Sequence, residues 1–173
     1  LENLNKIGDN DFPSNPLNDR AKGYILDGKI KSTILNKLDI ASKNYLLCTI
    51  HRRENINSIE RMNMLHEILR SAPLEVIFSI HPNTKKKIDS YKLKFDKNVR
   101  IIDPLGYFDM MMLLDSSSAV ITDSGGVQKE SFFINTPCYI FRNETEWVEL
   151  INLGANYLIS SKEDFISNFK KTN

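Results

Sequence analysis

The sequence has little of what would point to several large classes of protein. It has two cysteines in 173 residues, Cys48 and Cys138, and each lies inside an apolar run, 46–50 and 137–141. Such a pair reads as buried free thiols in a reducing compartment, not as a disulfide framework. Only three histidines are present, and none stands with cysteine at zinc-site spacing. No apolar stretch approaches the ~20 residues needed to cross a bilayer, and no signal-peptide pattern is present. An excess of one charge is also missing: Lys plus Arg number 23 against 22 Asp plus Glu, a net charge of +1. A nucleic-acid coat would carry a strongly basic face, whereas a small anionic ligand needs only a few local donors. These features together predict a cytoplasmic protein with no metal, no cofactor, no nucleic-acid partner and no membrane contact.

Apolar residues make up 41% and charged residues 26%, the ordinary proportions of a globular chain. The length suffices for one domain with a sizeable core. It leaves no room for two lobes of about 150 residues each, so a function needing two lobes requires the second from elsewhere.

Residues 1–44 read as an extension. Positions 1–22 are polar and turn-rich, with Gly8, Pro13 and Pro16. Apolar residues at 25, 26, 30, 34, 35 and 38 have helical spacing and predict a helix over 25–38. Residues 45–173 alternate between short apolar runs and amphipathic segments. The runs 45–50, 75–80, 99–102, 119–122, 138–141 and 157–159 predict strands. Helices are predicted over 58–71, 84–95, 108–114, 126–134, 145–153 and 162–170. Ser58 is placed to N-cap its helix, and Pro73 stops it. Continuous apolar strands separated by helices predict an α/β fold, a Rossmann-like doubly wound parallel sheet.

Ligands of such sheets bind beyond the carboxyl ends of the strands. Five predicted strand ends carry polar residues: His51-Arg52-Arg53-Glu54-Asn55, His81-Pro82-Asn83-Thr84, Asp103 to Tyr107, Asp123 to Glu130, and Arg142 to Trp147. Ser124-Gly125-Gly126 is the most readable. Its glycines let a backbone approach a ligand closely, and the N-terminus of the following helix favours an anion. The turn reads as a phosphate or diphosphate cradle, or as a tight turn with Ser124 as N-cap. Glu130 suits the vicinal hydroxyls of a ribose, or is a solvated helix residue, and Gln128 shares that ambiguity. Tyr107, with the backbone of Leu105 and Gly106, suits a base, or is a core aromatic. His51 and His81 each follow a strand directly and read as catalysts or satisfied structural groups. Of Arg52 and Arg53, one is expected to pair with Glu54 on the surface. Arg142 is the better candidate for a ligand contact, and Lys85 to Lys87 read as a solvated helix face.

These segments resemble the C-terminal half of the UDP-N-acetylglucosamine 2-epimerase family, whose fold is that of two-lobed, B-type glycosyltransferases. The resemblance rests on Thr49 to Asn55, Ser79 to Asn83, Asp103-Pro104-Leu105, Thr122 to Glu130 and Arg142 to Glu149. It implies that Ser124, Gly125 and Gly126 hold a UDP diphosphate and that Glu130 holds the ribose hydroxyls. It also implies that Leu105 to Tyr107 frame the uracil and that His81 approaches the diphosphate or sugar. His51, Arg52, Glu54 and His81 are implicated in a second, activating nucleotide-sugar site. The implied reaction inverts C2 of the sugar by elimination and re-addition of UDP, with the main acid and base carboxylates in an N-terminal lobe outside this sequence. Lys129, where an acidic residue is usual, and Trp147-Val148, in place of Arg-Pro, depart from the pattern. The Thr145 to Glu149 segment looks more like relatives acting on diacetamido uronic acids. The implied partners are the UDP-sugar, the N-terminal lobe and a second copy of the chain. Two other readings use the same residues: the lobe of a UDP-sugar glycosyltransferase, and a non-catalytic nucleotide-sugar-binding module.

Overall fold

The computed structural model describes residues 32–172. Six strands form one parallel sheet: β1 Tyr45–Thr49, β2 Glu75–Ser79, β3 Val99–Ile102, β4 Ala119–Thr122, β5 Cys138–Ile140 and β6 Asn156–Leu158. Their order is β3-β2-β1-β4-β5-β6. All five residues of β1 are buried, because a parallel sheet is covered on both faces. On one face Leu46, Cys48, Val76, Phe78, Ile121 and Tyr139 pack against α3 (Ile59–Arg70) and α8 (Lys162–Thr172). On the other, Leu47, Ile77, Val120 and Ile140 meet α1 (Ile34–Leu38) and α5 (Tyr107–Ser116). Burial of each such large apolar side chain stabilises the fold by about 1.5–3 kcal/mol.

The predicted strands match to within a residue or two; the helices move more. α3 starts after Ser58, whose hydroxyl oxygen accepts from Arg61 N at 3.1 Å, and buries Met62, Leu65, Ile68 and Leu69. α4 spans Pro82–Ser90, not 84–95. Proline suits a first helical turn, and Lys92 at φ 54 ends the segment. Of the helix predicted over 25–38, positions 25–31 lie outside the described residues, and the described part is helical only at Ile34–Leu38. α6 spans Gly125–Phe133 and α7 Val148–Asn152. Residues 145–147 are not helical, because the Thr145 and Trp147 side chains are tied to α6. A short helix, α2 (Arg53–Ile56), was not predicted.

The strand order reverses between β1 and β4, the switch point where the loops leaving adjacent strands diverge to opposite faces and open a crevice. His51 follows β1 and Asp123 follows β4.

Candidate functional site

Asp123 is fully buried at the end of β4. Its carboxylate accepts from the backbone N–H of His51 at 3.1 Å and of Arg52 at 2.9 Å, and from Asn55 Nδ2 at 2.9 Å. His51 Nδ1 lies 3.4 Å from the same carboxylate. Asn55 also donates to Phe141 O at 3.0 Å, and its Oδ1 accepts from Arg61 Nε at 2.9 Å. Burying a charge is costly unless donors surround it; here they do, and they fix the turn that starts α2. The hydroxyls of Thr49 and Thr122 share a 2.8 Å bond that ties the two strand ends together. Asp123, Asn55 and Glu146 were given no separate role by sequence reasoning. Each lay inside a motif, but their convergence depends on β1, β4 and β5 being neighbours.

Ser124 N-caps α6, its hydroxyl oxygen accepting from Val127 N at 3.5 Å. Capping leaves the hydroxyl proton available for donation. The first-turn N–H groups of an α-helix have no intrahelical acceptor and carry the positive end of its dipole. The two glycines divide the space differently from the sequence reading, which opened both to a ligand. A Cβ on Gly125 would overlap Glu146 Oε1, and Trp147 Nε1 donates to Gly125 O at 3.1 Å. Gly126 is the open one: a Cβ there would meet nothing nearer than Ser124 Oγ at 3.7 Å.

Glu146 accounts for both arginines near the cradle. Its carboxylate accepts from Arg142 Nη1 and lies 3.3 Å from Arg52 Nη2. Arg52 Nε donates to Asp123 O at 2.7 Å. The expected surface pair of Arg52 or Arg53 with Glu54 is replaced: Glu54 lies 3.5 Å from Arg142 Nε. Arg142 does end a central strand as expected, but it is only 8% exposed and already engaged. Burial raises the Glu146 pKa, yet backbone and Arg142 hydrogen bonds and the charges of Arg142 and Arg52 hold it below the usual carboxylate value.

Tyr107 is not a core aromatic; it is 44% exposed, and it stands beside the Glu130 carboxylate, each shifting the other's pKa. Burial raises the Glu130 pKa, with Tyr107 and the Lys129 charge opposing. Burial, then the charge of Glu130, push Tyr107 up to about 12. The two residues predicted to face the ribose and base are therefore brought together. Lys129 Nζ lies 4.4 Å over the Trp147 ring.

Beside the cradle, a cleft of about 270 Å³ is lined by Thr49, His51, Ser79, His81 and Leu105, among others. His81 Nδ1 accepts from Asn83 N at 3.2 Å and caps α4. A neutral His81 therefore carries its proton on Nε2. His51 differs, its Nδ1 lying beside the Asp123 carboxylate. Among the described residues, no group of three or more His, Cys, Asp or Glu could hold a metal ion. No helix among them is long and apolar enough to cross a membrane.

Comparison with known proteins identifies the family. The family model for UDP-N-acetylglucosamine 2-epimerase matches residues 15–172. A UDP-N-acetylglucosamine 2-epimerase homolog of Methanococcus maripaludis is 40% identical over 146 residues, covering 81% of this chain and 41% of that protein. The UDP-2,3-diacetamido-2,3-dideoxy-D-glucuronate 2-epimerase of Pseudomonas aeruginosa is 40% identical over 139 residues, 78% of this chain and 39% of its own length. The solved structure of Methanocaldococcus jannaschii UDP-GlcNAc 2-epimerase in complex with UDP-GlcNAc and UDP superposes with a TM-score of 0.80 at 31% identity. It covers 98% of this chain and 50% of that one. The chain thus spans half or less of the length of these relatives. With a family model matched along most of its residues, the chain belongs to the UDP-N-acetylglucosamine 2-epimerase family.

Proposed function

We propose that this chain is the nucleotide-binding lobe of a UDP-sugar 2-epimerase, with residues 45–173 as the lobe and 1–44 as an extension leading into it. One observation carries the reading. At the β1/β4 switch point a serine-capped helix N-terminus, an open Gly126, two guanidinium groups and a histidine cleft converge on one side of the sheet.

Ser124, Gly125 and Gly126 hold the diphosphate, Glu130 the ribose hydroxyls, and Leu105 with Tyr107 the uracil. Arg142 and Arg52 supply positive charge beside the phosphates. In the reaction the bond from anomeric carbon to diphosphate breaks and C2 loses a proton, giving a glycal. UDP then adds back while a proton returns to C2 on the other face. The leaving diphosphate gathers negative charge, so preoriented donors lower the barrier. Proton transfer at C2 needs a positioned acid and base. His81 is the group of this lobe placed to assist; the main carboxylates come from the N-terminal lobe, and a homodimer completes the assembly. His51, Arg52, Glu54 and His81 also form a candidate second nucleotide-sugar site. The buried thiols fit a cytoplasmic setting.

The test is acceptor-free. The full-length protein is incubated with UDP-N-acetylglucosamine, and separately with the diacetamido glucuronate analogue, and followed by NMR. Inversion at C2 of either sugar without an acceptor supports the reading. Turnover only after an acceptor is added would instead make the protein a transferase. The 173-residue chain alone is expected to bind UDP and not to epimerise.

A further inference from the structure

The cradle already contains an anion, and it belongs to the protein. The Glu146 carboxylate packs against Gly125 at the start of α6, in space that any side chain at 125 would fill. It holds Arg142 and Arg52. The backbone on either side of Glu146 is pinned. Thr145 Oγ1 donates to Gln128 Oε1 at 2.6 Å, and Trp147 Nε1 donates to Gly125 O at 3.1 Å. The Glu146 side chain itself is 42% exposed, so it can turn into solvent by rotamer change alone while its neighbours stay fixed. The pairing also leaves Arg142 incompletely used. Its Nε is buried without a hydrogen-bond partner, 3.5 Å from Glu54, and a buried unsatisfied donor is destabilising.

We propose that Glu146 is a resident anion of the phosphate cradle, an internal competitor that an incoming nucleoside diphosphate displaces from Arg142 and Arg52. The inference rests on the reading of the α6 N-terminus as the diphosphate site. Apparent affinity falls with the fraction of molecules in the competent state. With the Glu146 arm turned out in about a tenth of molecules, removing its charge tightens phosphate binding about tenfold. A ligand without phosphates does not compete with a carboxylate and feels no such change.

The experiment is calorimetric titration of the chain with UDP, inorganic pyrophosphate and uridine. It compares the unmodified protein with Glu146→Gln and Glu146→Asp, each checked for native circular dichroism. Glu146→Gln is isosteric and half-exposed; Glu146→Asp keeps the charge but withdraws it by one methylene. The expected result is UDP and pyrophosphate binding about tenfold tighter in Glu146→Gln, a smaller gain in Glu146→Asp, and uridine unchanged. Unchanged or weaker pyrophosphate binding in Glu146→Gln overturns the inference and makes Glu146 a support for Arg142, while UDP binding by the unmodified chain leaves the cradle standing. If neither protein binds UDP or pyrophosphate, the cradle reading fails and the inference with it.

Discussion

The two edges of the sheet present opposite chemistry. At the amino edge a cavity of about 610 Å³ opens among Lys43, Ser118, Asn135, Thr136 and Gly154. At the carboxyl edge the histidine cleft holds about 270 Å³. The amino-edge cavity is chemically quiet, because the polar side chains of Lys43 and Thr136 that line it end on backbone carbonyls. Lys43 Nζ donates to Asp115 O at 2.6 Å and Ser117 O at 2.8 Å, and Thr136 Oγ1 to Leu114 O at 3.1 Å. Those bonds splice one strand entry to the next. At the carboxyl edge polar side chains bond each other: Thr49 to Thr122, Asn55 to Asp123, Arg52 and Arg142 to Glu146. Only about 10–15% of protein hydrogen bonds join side chain to side chain, so a concentration of them marks an edge built for more than folding. Convergent polar groups mark the candidate site.

The strongest test of that contrast removes Asp123. Asp123→Ala strips the acceptor from two backbone N–H groups and one side-chain amide, with an expected loss of about 3 kcal/mol. For a domain of this size that lowers Tm on the order of 10 °C, read by urea and thermal unfolding. The amino-edge counterpart, Thr136→Val, loses one hydroxyl bond and about 1 kcal/mol, with UDP affinity unchanged by calorimetry. If Thr136→Val were as damaging as Asp123→Ala, or weakened UDP binding, the contrast between the edges would collapse.

Glu130→Gln sharpens it from another direction. The folded pKa of Glu130 is raised by burial above the ordinary value of 4.5. Between that value and the raised one, the folded chain holds more protons than the unfolded chain. Stability therefore falls as pH rises through that window. Glu130→Gln removes this slope and is expected to be more stable than the parent at neutral pH, by on the order of 1 kcal/mol. UDP affinity falls about fivefold as a charged acceptor becomes neutral. Melting curves from pH 4 to 8 beside calorimetry check both. A carboxyl-edge residue that gains stability while losing binding is what a functional edge predicts; parallel losses would make Glu130 structural.

The smallest expected effect concerns Lys129 and Trp147. Lys129→Glu and Trp147→Arg each break the contact, while the double substitution rebuilds an attraction with the charges exchanged. A double-mutant cycle is expected to give a coupling of about 0.5–1 kcal/mol. Additive effects would mean that the 4.4 Å approach carries no energy.

Much of the fold was legible in the sequence because it is written in local patterns. Continuous apolar runs located all six strands, and Ser58 and Ser124 were readable as caps. α2 was missed because its entry is held by Asp123, some 70 positions away in the chain. The helix expected over 145–153 starts only at Val148, since Thr145 and Trp147 spend their hydrogen bonds on α6. In each case a tertiary contact overrode local propensity. The candidate site divides in the same way: Ser124, Glu130, His81 and His51 stood out from strand ends and turn chemistry, whereas their partners did not.

By itself the sequence determined the class of sheet, the edge where the polar residues gather and the residue types found there, because hydrophobic period and turn residues act over a few positions. The strand order was a tertiary decision. It made Asp123 the anchor of the His51 turn, set Tyr107 against Glu130, and laid Glu146 over Gly125. Those pairings join residues far apart in the chain, and only packing both faces of one sheet brings them within hydrogen-bonding reach.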